Sequence, residues 1–422
     1  MRGHSSRRRR AEGANLRIAT GWRFYGWWGI VLSAFVIIWV TNALTLAGLT
    51  IYDRHIIDEL AISRGALKFG DTLQLLVSAA LAPVAGWVAD RYGVRPVMIA
   101  GALALAVGLL GYSTVHSIGD VYLMRILTGA AMAGAGLVIC VTLVSRWFVA
   151  HRGLALGLML SGTSLGNAFV PQLATWLIDV NGWRASFYVL ACLPLALLPI
   201  IVFAVKEWPE RLGLAPYGGQ AMVAAGEATG YTFSRAVRSA NFWLIGLSAF
   251  CTFYSILALS GNLFLHARDL GLDAGSAAKA FVPLFVGGIA GKLGAGLLTE
   301  TLPRKVVFAL ALSLMLAGAV MFTTLSPTLL WPALWLFGIG WGANYTMLQA
   351  LVADVFGAHS LGKILSAINL MDATGGALGP WITGMLFDIH GNYQLAFGLM
   401  GLLIAIALCA AMAVRVPARP AR

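Results

Sequence analysis

Residues 86–95 read GWVADRYGVR and form a short polar connection between two long apolar segments. Its glycines and charged residues stand at fixed spacings: Gly86, Asp90, Arg91, Gly93 and Arg95. A less complete copy begins 210 positions later, with a glycine, an acid and a base at Gly296, Glu300 and Lys305. A polar connection that recurs in this way indicates a duplicated membrane protein.

The composition supports a membrane protein. The chain has 422 residues, of which 59% are hydrophobic and 11% are charged, whereas roughly a quarter of the residues in soluble domains are charged. The net charge of +12 does not indicate nucleic-acid binding, because the basic residues lie in the tails and in short connections between apolar segments. We therefore expect a lipid bilayer and no nucleic acid as partner.

Apolar stretches of about 18 to 25 residues recur from Phe24 onward, which is the length needed to cross a bilayer. They predict twelve transmembrane helices, at 24–48, 67–89, 94–115, 120–146, 154–178, 184–205, 240–265, 277–299, 303–323, 328–355, 361–387 and 391–414. The predicted organisation is a disordered basic tail (1–20), a six-helix bundle (21–205), a central linker (206–239), a second six-helix bundle (240–414) and a short tail (415–422).

The distribution of Lys and Arg predicts the orientation. With both termini inside, the inner side carries 21 of the 29 basic residues and the outer side carries six, Lys68 among them. The remaining two, Arg125 and Lys292, lie within helices. By the positive-inside rule we expect a multi-pass protein of the cell inner membrane with both termini cytoplasmic.

The two halves repeat each other at a nearly constant offset. Gly166, Pro171, Asp179 and Gly182 return 209 positions later, at Gly375, Pro380, Asp388 and Gly391. Parallel six-helix repeats are a known transporter architecture. The predicted fold class is therefore an all-α membrane protein whose twelve helices form two pseudo-symmetric six-helix bundles.

The stretch at 86–95 resembles the loop motif between helices 2 and 3 of the major facilitator superfamily. Arg125 with Gly129, and Gly162 and Gly166 before Pro171, resemble two further motifs of that superfamily. Within it, the runs Arg146-Trp147-Phe148 and Gly182-Trp183-Arg184 are similar to the monocarboxylate and oxalate/formate transporter branch.

The resemblance implies a secondary transporter that works by alternating access and has no enzymatic activity, cofactor or metal. It implies a small organic anion as substrate, a monocarboxylate or dicarboxylate, moved by proton symport or anion exchange, and we expect a monomer. A carrier for another small solute (an amino acid, a drug or another metabolite), a channel and a non-transporting sensor stay open as alternatives.

Lys292, Asp372 and Arg125 are ionisable residues inside predicted helices, where charge is costly and therefore points to function. Lys292, near the middle of helix 8, is the candidate anchor for a substrate carboxylate; a structural ion pair or a snorkelling Lys is the alternative. Asp372 in helix 11 is a candidate counter-ion of Lys292, a proton-coupling group or a binder of a substrate amine. Arg125 either lines the cavity as a coupling residue or snorkels outward.

Polar side chains on the helices that line the superfamily's cavity, and one on helix 11, are further candidates for substrate binding. They are Asn42, Tyr254, Asn262, Asn344, Tyr345, Gln349 and Asn369. Hydrogen bonding between helices is the competing explanation for each of them.

Asp90 lies at the end of helix 2, where the helix dipole disfavours an anion. It therefore needs a partner, and the candidates are Arg146, Arg152 and the start of helix 11 at 360–363. The resemblance implies that such a contact closes the cytoplasmic side, with Gly86 allowing close packing, and that the copy at Glu300 and Lys305 serves the second half. The alternative is that the loop is a topology signal alone.

Overall fold

The computed structural model describes residues 27–209, 216–217, 230–357 and 359–415. The predicted tail at 1–20, most of the linker at 206–239 and all but the first residue of the tail at 415–422 lie outside these ranges. Within them the chain forms helices and no β-strand.

Twelve long helices occur in the described residues. They are α1 (Trp27–Thr50), α2 (Arg64–Tyr92), α3 (Val94–Tyr112), α4 (Ile118–Trp147), α5 (Arg152–Asn181), α6 (Trp183–Ala204), α7 (Ala240–Asp269), α8 (Ala274–Leu298), α9 (Arg304–Phe322), α10 (Pro327–Phe356), α11 (Leu361–His390) and α12 (Gln394–Ala413). Ten are long and apolar enough to cross a bilayer. The other two long helices, α10 and α11, have 30 residues each. Short helices at Asp53–Leu60 and Phe233–Val237 lie between long ones.

Local sequence explains where several helices start and stop. Ser63 caps α2 by accepting a hydrogen bond from the Ala66 amide, and Ser117 forms a capping box with Asp120 at the start of α4. Gly182 and Gly391 end α5 and α11 with positive φ angles of 78° and 72°, a conformation that glycine adopts without strain. Gly182 and Gly391 occupy equivalent positions in the sequence repeat, 209 residues apart.

Equivalent side chains make equivalent contacts in the two halves. Arg95 donates its Nε–H to the carbonyl of Val205, just beyond α6, at 2.5 Å. Lys305, which occupies the position of Arg95 in the second half, donates to the carbonyl of Val414, just beyond α12, at 2.9 Å. Basic side chains at helix C-termini satisfy carbonyls that lack a partner within the helix. The repeat therefore extends from sequence to tertiary contacts.

The halves meet at the end of the bundle opposite the loop at 86–95; we call these the far end and the loop end. At the far end the Arg64 guanidinium of α2 binds the Asp269 carboxylate of α7 at 2.5 and 2.9 Å. The Asp388 carboxylate of α11 accepts the amides of Arg64 and Gly65 at 3.0 and 2.7 Å. On the other side of the interface, Gln172 of α5 donates to the carbonyl of Ala278 in α8 at 2.8 Å.

The loop-end segments of α2, α5, α8 and α11 stand apart. A methyl group added at any of six glycines there would meet no atom of the described residues within 4 Å: Gly86, Gly153, Gly157, Gly294, Gly296 and Gly362. At the far end, by contrast, a methyl group at Gly65 would lie 2.8 Å from the Asp388 carboxylate. The space between the halves is therefore open toward the loop end and closed at the far end.

Candidate functional site

A cavity of about 140 Å³ lies between the two halves, lined by residues from α1, α2, α4, α5, α7, α8, α10 and α11. Most of the lining is apolar, including Leu75, Leu160, Phe253, Phe285 and Trp341. Ten of the lining residues have polar side chains: Asn42, Thr45, Thr50, Asp71, Gln74, Thr163, Asn167, Ser260, Lys292 and Tyr345. A concave site that combines apolar walls with placed polar groups is typical of small-molecule binding.

Lys292 of α8 reaches this cavity. Its Nζ donates to the Ser164 hydroxyl of α5 at 3.2 Å, and lies 5.3 Å and 5.8 Å from the ring centres of Trp341 and Tyr345. A methyl group at Gly288, one turn earlier, would stand 3.1 Å from the Trp341 ring, so glycine makes room for that ring. The ammonium is thus held between a hydroxyl and two aromatic rings, with cation–π attraction offsetting part of its desolvation.

The prediction that Asp372 is the counter-ion of Lys292 does not hold in this conformation. Neither residue forms an ion pair in the described part of the chain. Asp372 is partly exposed and is absent from the cavity lining.

The predicted polar residues divide into two groups. Asn42 and Tyr345 line the cavity. Asn42 is held by Asn167 of α5, whose Nδ2 donates to Asn42 Oδ1 at 2.7 Å, while Asn167 Oδ1 accepts the Ala47 amide at 3.2 Å. Because α1 is interrupted at Leu46, this amide lacks its usual helical partner, and Asn167 supplies one.

The other five predicted substrate contacts lie outside the cavity lining. Asn262 is fully buried and donates to the carbonyls of Ala258 and Pro380, so it joins α7 to α11. Tyr254 and Asn344 are also buried, whereas Gln349 and Asn369 are exposed. For Asn262 the interhelical explanation describes its contacts in this conformation.

Arg125 does not snorkel outward. It is 2% exposed and belongs to what we call the buried charge cluster, which comprises Asp53, Lys68, Asp71 and Arg125. Its Nη2 lies 2.8 Å from Asp71 Oδ1 and 3.8 Å from Asp53 Oδ1. Lys68 Nζ binds Asp53 and lies 3.3 Å from Asp71 Oδ2. Two cations and two carboxylates therefore neutralise one another in the first half.

Lys68 was predicted to be one of the outer loop charges, and this prediction is wrong. Because α2 begins at Arg64 rather than residue 67, Lys68 falls in its second turn and is fully buried. Asp71 and Asp53 were missed altogether. Burial raises the pKa of Asp53 to about 6, even though Lys68 and Arg125 act to lower it. Lys68 and Asp71 are a base and an acid three residues apart in an apolar segment, and this sequence feature could have predicted the cluster.

Gln74 connects the cluster to the cavity wall. Its Oε1 accepts from Arg125 at 3.2 Å and from the Thr128 hydroxyl at 2.8 Å, and its Nε2 donates to the Thr45 carbonyl at 2.8 Å. Gly70 gives Arg125 space, since a methyl group there would lie 3.0 Å from Arg125 Cγ. The Arg125 side chain is therefore held by Gln74 as well as by the two carboxylates of the cluster.

At the loop end, Asp90 forms an ion pair with Arg146 of α4 at 2.7 Å, and Arg146 also lies over the Trp208 ring. No hydrogen bond or ion pair joins Asp90 to Arg152 or to residues 360–363 in the described ranges. The close packing expected at Gly86 is absent too, because that end is open. Arg91 and Arg152 are exposed, and Gly93 turns the chain with a φ of 98°.

The second half has an ion pair of its own at this end, with the charges exchanged. Arg304 of the second loop binds Asp354 of α10 at 2.7 Å, whereas in the first half the loop supplies the acid and α4 the base. Lys305 binds the carbonyls of Met412 and Val414. Glu300, the sequence counterpart of Asp90, is exposed.

Comparison with known proteins decides the family. A sequence model of the Major Facilitator Superfamily matches residues 27–380. This chain belongs to the Major Facilitator Superfamily. The predicted fold class is confirmed, and the chain is a multi-pass membrane transporter rather than an enzyme.

The relatives support the predicted branch. Monocarboxylate transporter 13 of Bos taurus is 26% identical over 388 residues, covering 89% of this chain and 86% of the relative. The oxalate:formate antiporter of Oxalobacter formigenes is 27% identical over 352 residues, covering 79% of each. The solved structure of a D-xylose-proton symporter shares the fold, with a TM-score of 0.72 at 14% identity over 92% of this chain and 98% of that one.

Proposed function

We propose that this transporter is a secondary active carrier of a small monocarboxylate, which Lys292 binds through its carboxylate. The observation that carries the proposal is the charge of the cavity. Among the lining residues, Asp71 and Lys292 are charged, and Asp71 is compensated by Arg125 and Lys68. Lys292 is therefore the uncompensated charge, and an anionic substrate neutralises it.

The same charges favour a monocarboxylate over the dicarboxylate that the resemblance also allowed. A dicarboxylate needs a second cation at the cavity, and the nearest candidate, Arg125, is committed to Asp71 and Gln74. The apolar walls around Phe253, Phe285 and Trp341 suit the uncharged remainder of a monocarboxylate. Asn42 and Tyr345, which line the cavity, are placed to give it hydrogen bonds.

Transport follows from alternating access in this proposal. The loop end faces the cytoplasm, as the positive-inside rule indicates, and the conformation described above is open to that side. Closing of the loop end and opening of the far end then carries the bound anion across. The protein lies in the cell inner membrane with both termini cytoplasmic, and it couples the anion to proton symport or to exchange.

The test is uptake into proteoliposomes, with and without a pH gradient, of formate, pyruvate, phenylpyruvate, oxalate and succinate, each isotope-labelled. The proposal expects saturable uptake of the monocarboxylates and accelerated counterflow when the same anion is loaded inside. Preference for oxalate or succinate would contradict the single-cation argument. Uptake without saturation or counterflow would indicate a channel.

Replacing Lys292 by Met removes the charge and keeps most of the side-chain volume. A hydrogen bond to a charged group contributes about 1.5–3 kcal/mol, so pyruvate binding should weaken by roughly 10- to 150-fold. Lys279→Met is the matched control, because it makes the same change at an exposed position of the same helix. Unchanged pyruvate affinity in Lys292→Met would refute the anchor.

A further inference from the structure

One residue of the buried charge cluster, Asp71, also lines the cavity. Asp53 and Lys68 are fully buried and Arg125 is 2% exposed, whereas Asp71 is 8% exposed and forms part of the cavity lining. A proton from water in the cavity therefore reaches Asp71 first. Arg125 and Lys68 form ion pairs with the Asp71 carboxylate, at 2.8 Å and 3.3 Å.

The buried charge cluster has no net charge, because its two cations balance its two carboxylates. When a proton adds to one carboxylate oxygen of Asp71, an O–H bond forms and the cluster acquires a net charge of one positive unit. Burying an unpaired charge costs several kcal/mol. A carboxylate that enters the adjoining cavity places a negative charge near this positive charge, so the proton and the anion each favour binding of the other.

We propose that Asp71 is the proton-binding residue of this transporter, and that protonation of Asp71 and binding of the substrate carboxylate occur together. The inference rests on the proposed function for the identity of the anion. Asp71 takes this role in preference to Asp372, one of the candidate coupling residues from the sequence, because Asp71 lines the cavity and is ion-paired with Arg125 and Lys68.

Asp71 also lies where the two halves touch. Its neighbour Thr72 donates to the Ala377 carbonyl of α11 at 2.6 Å, and a methyl group at Gly261 of α7 would lie 3.9 Å from Asp71 Oδ2. When Asp71 loses its charge, its ion pair with Arg125 weakens. This ion pair lies next to the contact between the two halves. Protonation thus acts at a place where the halves must separate for the far end to open.

The groups that face Asp71 come from several elements. Lys68 lies on its own helix, Arg125 on α4 and Asp53 on the short helix after α1. Tyr112 of α3 is buried close to Arg125. On α7 the described neighbour of Asp71 is Gly261, which carries no charge, and Lys292 lines the same cavity from α8.

The first experiment needs no substrate. Dicyclohexylcarbodiimide modifies protonated carboxyl groups in apolar surroundings, and mass spectrometry of the digested protein reports which carboxyl reacted. The purified full chain is treated between about pH 5 and about pH 8. We expect Asp71 to be labelled, with a larger labelled fraction at the acidic end of this range than at the alkaline end. Asp90, exposed at the loop end, is the internal control; no labelling of Asp71 at any pH overturns the proposal.

The second experiment uses labelled pyruvate and the variant Asp71→Asn, which resembles the protonated state in shape and charge. The variant should retain pyruvate counterflow but lose accumulation driven by a pH gradient. If it keeps both, Asp71 does not carry the proton, although the proposed function survives. If it loses both because it does not fold, the labelling of the wild-type chain decides. If the wild-type chain moves no pyruvate, the proposed function fails, and the labelling still tests Asp71.

Discussion

Arg64 is the residue whose loss should most directly change which end of the transporter is open. It belongs to α2 in the first half, and its side-chain contacts are with the second half. The guanidinium binds Asp269 at 2.5 and 2.9 Å, donates to the Tyr393 hydroxyl at 2.8 Å and lies 3.6 Å from the centre of the Phe387 ring. Each of these contacts must break when the far end opens.

The free-energy change that Arg64→Gln should cause follows from these contacts. The Arg64 and Asp269 side chains are 16% and 32% exposed, so their bidentate pair is screened less than a surface pair, and we assign it about 1–1.5 kcal/mol. The contact with Phe387 adds about 0.5–1 kcal/mol. Arg64→Gln should therefore shift the ratio of loop-end-open to far-end-open molecules by about 2 kcal/mol, or roughly 30-fold, toward the far-end-open state.

The assay follows a thiol at the loop end. Gly362→Cys, in a background without the four native cysteines, places the thiol where no atom lies within 4 Å in the open state, and where the start of α11 should be covered when that end closes. The rate of reaction with a membrane-impermeant maleimide should fall when Arg64→Gln is added. Arg184→Gln is the control, because Arg184 at the same end binds Glu59, Ser113 and Val115, all within the first half. Equal rates in the Arg64 variant and its parent would refute the reasoning.

Two further predictions concern the loop end and helix packing. Asp90→Asn removes an ion pair whose carboxylate is 76% exposed, so it should cost less than about 1 kcal/mol of stability yet slow the turnover of pyruvate more than it weakens its binding; unchanged turnover would remove the gating role. Gly342→Ala places a methyl group 1.9 Å from the Gly288 carbonyl oxygen and should lower stability by about 1–3 kcal/mol, measured as a lower thermal midpoint. Gly294→Ala, with no atom within 4 Å, should leave that midpoint unchanged, and an equal fall in both would contradict the packing argument.

The helices themselves were predictable, and the reason is the bilayer. Every predicted span lies within four residues of an observed helix, because hydrocarbon accepts a helix of a certain length and ends it where polar residues begin. Arg95 and Lys305 show that the repeat was predictable as well. They stand 210 positions apart in sequence and cap equivalent helix ends at Val205 and Val414.

The site was only partly predictable. Lys292, Asn42 and Tyr345 were expected at the cavity and line it, whereas Asn262 faces Pro380 and Asn369 is exposed. A surface helix of a soluble protein reveals its inner face by its polarity, but a membrane helix meets apolar groups on the lipid side and the core side alike. Its rotation about its own axis is then set by packing against its neighbours.

The amino-acid sequence by itself determined the class of protein, the number and positions of its helices and the duplication, since each of these depends on local hydrophobicity and on spacing. The tertiary structure alone decided that Lys68, Asp53, Asp71 and Arg125 form one neutral cluster, and that Lys292 lines the same cavity as Asp71 with no ion-pair partner among the described residues. These charges come from segments up to 239 positions apart. Which of them meet depends on how helices rotate and cross, and no local pattern along the chain records that.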